Sequence, residues 1–182
     1  MNPAYSFVLF AHPTTPCPFI AAFEARVEHA TAGGFSFTYL LRGDLLQLDV
    51  PVITAAERTD GLWRQTCFEA FLRPTGTSAY REFNFSPSTQ WAAYSFAGYR
   101  DAMMPLRLSS APAITCEITA EELSLRATLT NLEGTSRAFQ LGLSAVLRDR
   151  GGKIYYWALQ HAPGKPDFHH DASFAASLDG AT

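Results

Sequence analysis

Leu123-Ser-Leu-Arg-Ala-Thr-Leu-Thr130 decides the fold class. Leu123, Leu125, Ala127 and Leu129 fall at every second position, with Ser124, Arg126, Thr128 and Thr130 between them. A period of two is the mark of a strand with one face in a core and the other in water, since successive side chains of a pleated strand leave opposite sides. Working outward, the same period recurs in Phe23, Ala25 and Val27 against Glu24, Arg26 and Glu28, in Leu46, Leu48 and Val50, and through Phe139 to Leu147. Phe19 to Thr31 also has Ile20, Phe23 and Val27 at helical offsets, but its charged residues alternate too strictly for a helix surface, so it reads as a strand. A single helical turn is expected near Ala97 to Met104.

Turn residues separate the runs at Gly33-Gly34, Gly43-Asp44, Asp60-Gly61, Pro74-Thr-Gly76, Ser86-Pro87-Ser88, Asn131-Leu-Glu-Gly134 and Gly151-Gly152. Gly43-Asp44 is expected to close a tight hairpin between Phe35–Arg42 and Leu45–Val50. The expectation is an all-β antiparallel sandwich of about nine or ten strands, with at most one or two short helical turns, forming one domain over residues 1–182.

Composition narrows the function. Seventeen acids against fourteen bases leave a net charge of -3, so no basic field awaits a phosphate backbone and nucleic acid is not an expected partner. Cys17, Cys67 and Cys116 are odd in number and widely spaced, which argues against a disulfide framework or a structural zinc site. Met1–Pro18 lacks lysine and arginine and is broken by Pro13, Pro16 and Pro18, unlike a signal peptide of the usual kind. No apolar run reaches the ~18 residues of a membrane span. A cytoplasmic location is therefore expected, with no membrane partner.

The middle third is less regular. Gly61 to Pro74 reads as a strand whose two faces, Cys67/Glu69/Phe71 and Phe68/Ala70/Leu72, are both largely apolar, so the strand is central and Glu69 is buried. A buried carboxyl without a partner titrates to its neutral form or costs several kcal/mol, on the order of the usual desolvation penalty. Arg64, Arg81 or a ligand hydroxyl are its expected partners. In Tyr80-Arg-Glu-Phe-Asn-Phe-Ser-Pro87, Glu82 and Asn84 oppose Phe83 and Phe85; Trp91 and Ala93 then oppose Ala92, Tyr94 and Phe96. If these strands are neighbours, Glu69, Glu82 and Asn84 line one face, with Trp91 or Tyr94 as a flat wall and Tyr99 and Arg100 beyond. Carboxyls and amides beside an aromatic ring suit a sugar, whose hydroxyls they bond while the ring stacks on its C–H face. The plainer alternative is a packed core with Glu82 paired to Arg81 or Arg100.

Leu62-Trp-Arg-Gln-Thr-Cys-Phe-Glu69, Tyr80-Arg-Glu-Phe-Asn-Phe-Ser-Pro87 and Trp91-Ala-Ala-Tyr-Ser-Phe-Ala-Gly-Tyr-Arg100, with Tyr156-Trp-Ala-Leu-Gln-His161 and Lys165-Pro-Asp-Phe-His-His170, resemble the DOMON-like superfamily. Within it, the chain is similar to the bacterial group akin to family 9 carbohydrate-binding modules. The resemblance covers nearly the whole chain and implies an immunoglobulin-like sandwich that binds a small ligand, a carbohydrate or sugar-derived metabolite, without catalysis. It also implies a sugar held between two tryptophans, here Trp63 and Trp91, with Glu69, Glu82 and Asn84 as polar partners.

The same superfamily holds haem b binders, so a haem reading stands beside the sugar reading. Its axial candidates are Met103 or Met104 with His161 or His169. A third possibility is a partner-binding or self-associating sandwich with no small ligand. Asp167-Phe-His-His-Asp171 contains metal-ligand types, but Pro163, Gly164 and Pro166 make it a loop without a ligand spacing, and one buried histidine pinning the C-terminal segment is the simpler reading. His12 and His29 read as structural. Glu69 and Glu82 have the residue types of a glycosidase pair. Cys67, mid-strand among apolar neighbours, resembles an inert thiol, and no Gly-x-Ser-x-Gly elbow occurs, so no enzyme activity is expected.

Overall fold

The computed structural model of the chain describes residues 4–31 and 33–180. Among them thirteen strands follow in chain order. The first six are β1 (Ala4–Val8), β2 (Phe10–Ala11), β3 (Ile20–His29), β4 (Gly34–Gly43), β5 (Cys67–Pro74) and β6 (Tyr80–Phe85). After them come β7 (Trp91–Phe96), β8 (Met104–Pro105), β9 (Ala113–Ile118), β10 (Glu122–Thr130), β11 (Phe139–Arg148), β12 (Ile154–Ala158) and β13 (Ala176–Leu178). Ten have five residues or more, and β2, β8 and β13 are pieces of two or three. Helical structure is limited to three short 3-10 turns, at Leu45–Gln47, Leu62–Arg64 and Asp171–Ser173. The result is all-β.

Pairing is antiparallel throughout both sheets. The first runs β1-β3-β4-β10-β9; the second runs β2-β12-β11-β5-β6-β7-β8, with β13 added along β11. Register follows the alternation. Leu41, Tyr39, Phe37 and Phe35 of β4 face Leu123, Leu125, Ala127 and Leu129 of β10, so these apolar side chains share one face. On the other face Arg26, Glu28, Arg42, Glu122 and Arg126 form exposed ion pairs at 3.0–3.7 Å. Such pairs hold little stability, and the sheet depends on its buried face.

That face meets Phe68, Ala70 and Leu72 of β5 and Phe83 and Phe85 of β6 across the sandwich. Phe37 packs on Phe85 with ring centroids 5.8 Å apart, Tyr39 on Phe68 at 5.2 Å, and Phe35 edge-on to Phe139 at 5.9 Å. The Tyr39 hydroxyl crosses the interface and donates to the Glu69 carbonyl oxygen at 2.8 Å. Each fully buried aromatic or aliphatic side chain contributes about 1.5–3 kcal/mol.

Two local expectations are corrected. Gly43 closes no hairpin. It ends β4 against β3, where a Cβ would lie 2.1 Å from the Phe19 carbonyl oxygen, so only glycine permits the approach. The Asp44 N–H then donates to that same Phe19 oxygen, and Leu45–Gln47 turns as a 3-10 segment rather than opening a strand. The Ala97–Met104 region likewise forms a tight turn bridged between Gly98 and Asp101, with Arg100 and Ala102 at positive φ, and not a helical turn.

The second sheet is buried on both faces, as the two-faced apolar pattern of β5 requires. A second apolar layer lies outside it: Phe71, Tyr80, Phe96 and Val146 of the sheet are covered by Phe168 and Phe174 of the C-terminal segment. Gly142 of β11 makes this possible, because a Cβ there would stand 3.0 Å from the Ser173 carbonyl oxygen. Between the sheet and its cover, a space remains.

Candidate functional site

Strand alternation sends Cys67, Glu69 and Phe71 of β5 to the outer face, with Tyr80, Glu82 and Asn84 of β6 and Ala92, Tyr94 and Phe96 of β7. Register joins them into rows: Ser144 faces Glu69, Glu69 faces Asn84, and one step along Phe71 faces Glu82, which faces Tyr94. The two glutamates therefore sit diagonally on adjacent central strands.

Above them is a cavity of about 410 Å³. Glu69 and Glu82 form its floor, only 3% and 5% exposed. Aromatic rings of Trp63, Tyr94, Phe96, Tyr156 and Phe168 wall it, and Arg100, Met103, Asp167 and His169 stand at its edge. The volume lies in the range of small-molecule sites, ~300–1,000 Å³, and an apolar wall with few oriented polar groups is their usual lining.

Neither carboxyl is tied to a guanidinium. Ser144 Oγ donates to Glu69 Oε2 at 3.1 Å, and Asn84 Nδ2 donates to Glu82 Oε1 at 2.7 Å. Arg81 instead donates to the Glu133 carbonyl oxygen, Arg64 is exposed, and Arg100 pairs with Asp167 at 2.8 Å. The arginine partners expected for Glu69 and Glu82 are thus replaced by a hydroxyl and an amide, with Arg81 and Arg100 taken up by other acceptors. Burial, reinforced by the charge of Glu82, pushes the Glu69 carboxyl up to about 8; Ser144 and Arg100 only partly offset this. Burial also raises Glu82, against the Asn84 bond and Arg100. The pair shares a low-dielectric floor on which both resist ionisation.

The walls are braced from behind. The Tyr94 hydroxyl donates to Asp60 Oδ1 at 2.6 Å, Arg58 lies 5.3 Å over the Tyr94 ring, and Trp63 meets that ring edge-on at 6.1 Å. His169 is packed among Phe71 and Phe96 at 5.2 and 5.1 Å. Burial and then the Arg100 charge drive its imidazole down to about 4. It is neutral at pH 7, so its 3.7 Å approach to Glu82 Oε2 is not an ion pair. The Tyr80 hydroxyl, which accepts from the Arg100 backbone N–H, is hydrogen-bonded to His169 Nδ1 at 2.7 Å. At the edge, Asp167 accepts from the Tyr99 hydroxyl, Arg100 and the His169 N–H. Burial pushes Asp167 up, but those bonds outweigh it and hold the carboxyl below its ordinary range.

Of the residues named from the sequence, Trp63, Glu69, Glu82, Tyr94 and Arg100 meet at the cavity. Asn84 is on the right face but completely buried, with its amide oxygen accepting from Cys67 Sγ at 3.6 Å; it positions Glu82 and does not reach the space. Cys67 is itself fully buried, its thiol pushed well up by burial. Tyr99 is exposed outside the cavity and acts on it through Asp167. Trp91 is a correction. It pairs with Phe85, which fixes it on the inner face, where it packs half-buried against the core. Trp63 and Trp91 therefore lie on opposite faces of the sheet and cannot hold a ligand between them.

The haem ligands are not gathered either. His161 lies elsewhere, its Nε2 donating to the Phe10 carbonyl oxygen at 2.8 Å and its ring against His12 at 4.7 Å. Met104 is exposed and pairs with Ser95 in β8, while only Met103 and His169 reach the cavity, the latter with Nδ1 bonded to Tyr80. The Asp167–Asp171 stretch is a loop: Asp171 pairs with Arg73 at 2.6 Å, and His170 Nδ1 accepts from the Ala172 N–H to cap the last 3-10 turn. His169 pins this segment to the sheet. The sequence reading missed Phe96, Ser144, Val146, Tyr156 and Phe168, which come from strands and a loop far apart in the chain. Their alternation in β7, β11 and β12 was the one available signal.

No family model and no curated protein matches the chain. Among solved structures, the crystal structure of a putative carbohydrate-binding protein from Bacteroides uniformis superposes with a TM-score of 0.64. The match covers 97% of this chain and 85% of that one at 12% identity. The likeness at that identity is one of fold: both are sandwiches of the same general architecture.

Proposed function

We propose that this protein is a non-catalytic binding module that takes a carbohydrate or sugar-derived metabolite into the cavity on the outer face of its second sheet, and that it belongs with the DOMON-like proteins akin to family 9 modules. One observation carries the reading: two buried carboxyls, free of arginine, open into a space walled by five aromatic rings. Hydroxyls of a pyranose would bond the carboxyls, and Trp63 and Tyr94 would receive its apolar face. The shared fold with the Bacteroides uniformis protein supports this choice of ligand class.

The test is calorimetric titration with a panel of neutral mono- and disaccharides, alongside thermal unfolding. A specific sugar at a hundredfold excess over Kd should stabilise the fold by about 2.7 kcal/mol. Trp63→Ala should abolish the gain without lowering the melting temperature of the free protein by more than a few degrees. The reading fails if no sugar at millimolar concentration produces heat or a melting shift.

A further inference from the structure

We infer that the sugar held in this cavity carries a protonated amine, seated between Glu69 and Glu82. The inference rests on the binding function just proposed and adds the charge of the ligand. Each carboxyl has one oxygen satisfied, Glu69 Oε2 by Ser144 and Glu82 Oε1 by Asn84. Among the described residues no donor lies within hydrogen-bond distance of Glu69 Oε1, and the nearest approach to Glu82 Oε2 is His169 Nε2 at 3.7 Å. Two acceptors on residues at least nineteen-twentieths buried therefore face the cavity unpartnered.

Hydroxyls would satisfy these acceptors but not the charge. No arginine or lysine among the described residues forms an ion pair with either carboxyl, and Arg100, the nearest cation, is bound to Asp167. The Glu82 charge that helps to raise Glu69 has no ion-pair partner, and a neutral ligand closing over the floor would remove water from that charge and leave it uncompensated, which is costly in a low-dielectric site. An ammonium supplies both donors and charge. The rings of Trp63, Tyr94 and Phe96 add to this, since aromatic faces attract cations as well as sugar C–H groups.

The experiment titrates the full chain at pH 7 with glucosamine and galactosamine, their neutral parents glucose and galactose, N-acetylglucosamine, and cyclohexylamine as an amine without hydroxyls. One amino sugar should bind at least about tenfold tighter than its parent, the size of one charge-assisted hydrogen bond. N-acetylglucosamine should bind no better than glucose, and cyclohexylamine should bind more weakly than the amino sugar. Glu82→Gln, close in shape to the native side chain, should bring the amine preference near unity while binding of the neutral sugar persists. Equal binding of amino and neutral sugars overturns the inference but leaves carbohydrate binding standing. Tighter binding of N-acetylglucosamine, or cyclohexylamine binding as well as the amino sugar, overturns it too. Binding of no sugar at all removes the function on which it rests.

Discussion

Glu69 contributes to stability with an unusual sign. Its carboxyl rises from an ordinary 4.5 to about 8 on folding, so between those values the folded protein holds a proton that the unfolded chain has released. Stability from this group is full below pH 4.5 and falls as pH rises toward 8. His169 acts oppositely, since its imidazole falls from 6.5 to about 4 and it stabilises increasingly as pH climbs through that interval. The two effects oppose each other below pH 6.5, and above it Glu69, coupled to the likewise raised Glu82, sets the direction. Urea unfolding should therefore show a loss of about 1–2 kcal/mol between pH 6.5 and 8, at up to about 1.4 kcal/mol per pH unit. Glu69→Gln should flatten that slope, and an unchanged slope would show that the carboxyl ionises freely. The same burial that makes Glu69 costly is what leaves it available to a ligand.

At the scale of elements, the cavity depends on how closely the C-terminal segment lies on β11. Gly142 sets that spacing, with Ser173 and the Phe71 side chain both near where a Cβ would project, 3.0 and 3.3 Å away. Gly142→Val should cost about 1–3 kcal/mol through overpacking. It should also lift the loop carrying Asp167, Phe168 and His169, seen as faster proteolysis between residues 160 and 175 and as lost ligand affinity. Retained affinity would mean that the cover is not part of the site. Asp167 acts at this scale as well, since it joins Tyr99 and Arg100 of the β7–β8 turn to the C-terminal loop.

The whole molecule separates its two tasks by layer. Between the sheets lies the continuous apolar core of Phe23, Phe35, Phe37, Phe68, Phe83 and Phe85; outside the second sheet lies the thinner layer holding the cavity. Phe37→Ala, in the core, should destabilise by about 3–5 kcal/mol in chemical denaturation. Measured well below the melting temperature, its ligand affinity should match wild type. A parallel loss of affinity would show that the layers are coupled.

The sequence by itself determined the sandwich, because a period of two in β3, β4, β10 and β11 can bury one face only as a sheet, and it marked β5 as central through apolar residues on both its faces. It also placed Glu69, Glu82 and Asn84 on a common side, as expected if their strands are neighbours. Tertiary structure alone decided which face was the open one. Trp91 shows why: its side follows from pairing with Phe85, and that register is set by the Ser86–Gln90 turn rather than by any pattern in residues 91–96. The 3-10 turn at Leu45–Gln47 was hidden for a similar reason, as alternating leucines cannot reveal that the Phe19 carbonyl oxygen takes the Asp44 N–H. The cover formed by Phe168 and His169 was hidden too, because it brings together segments about a hundred residues apart through packing, which leaves no periodicity in the chain.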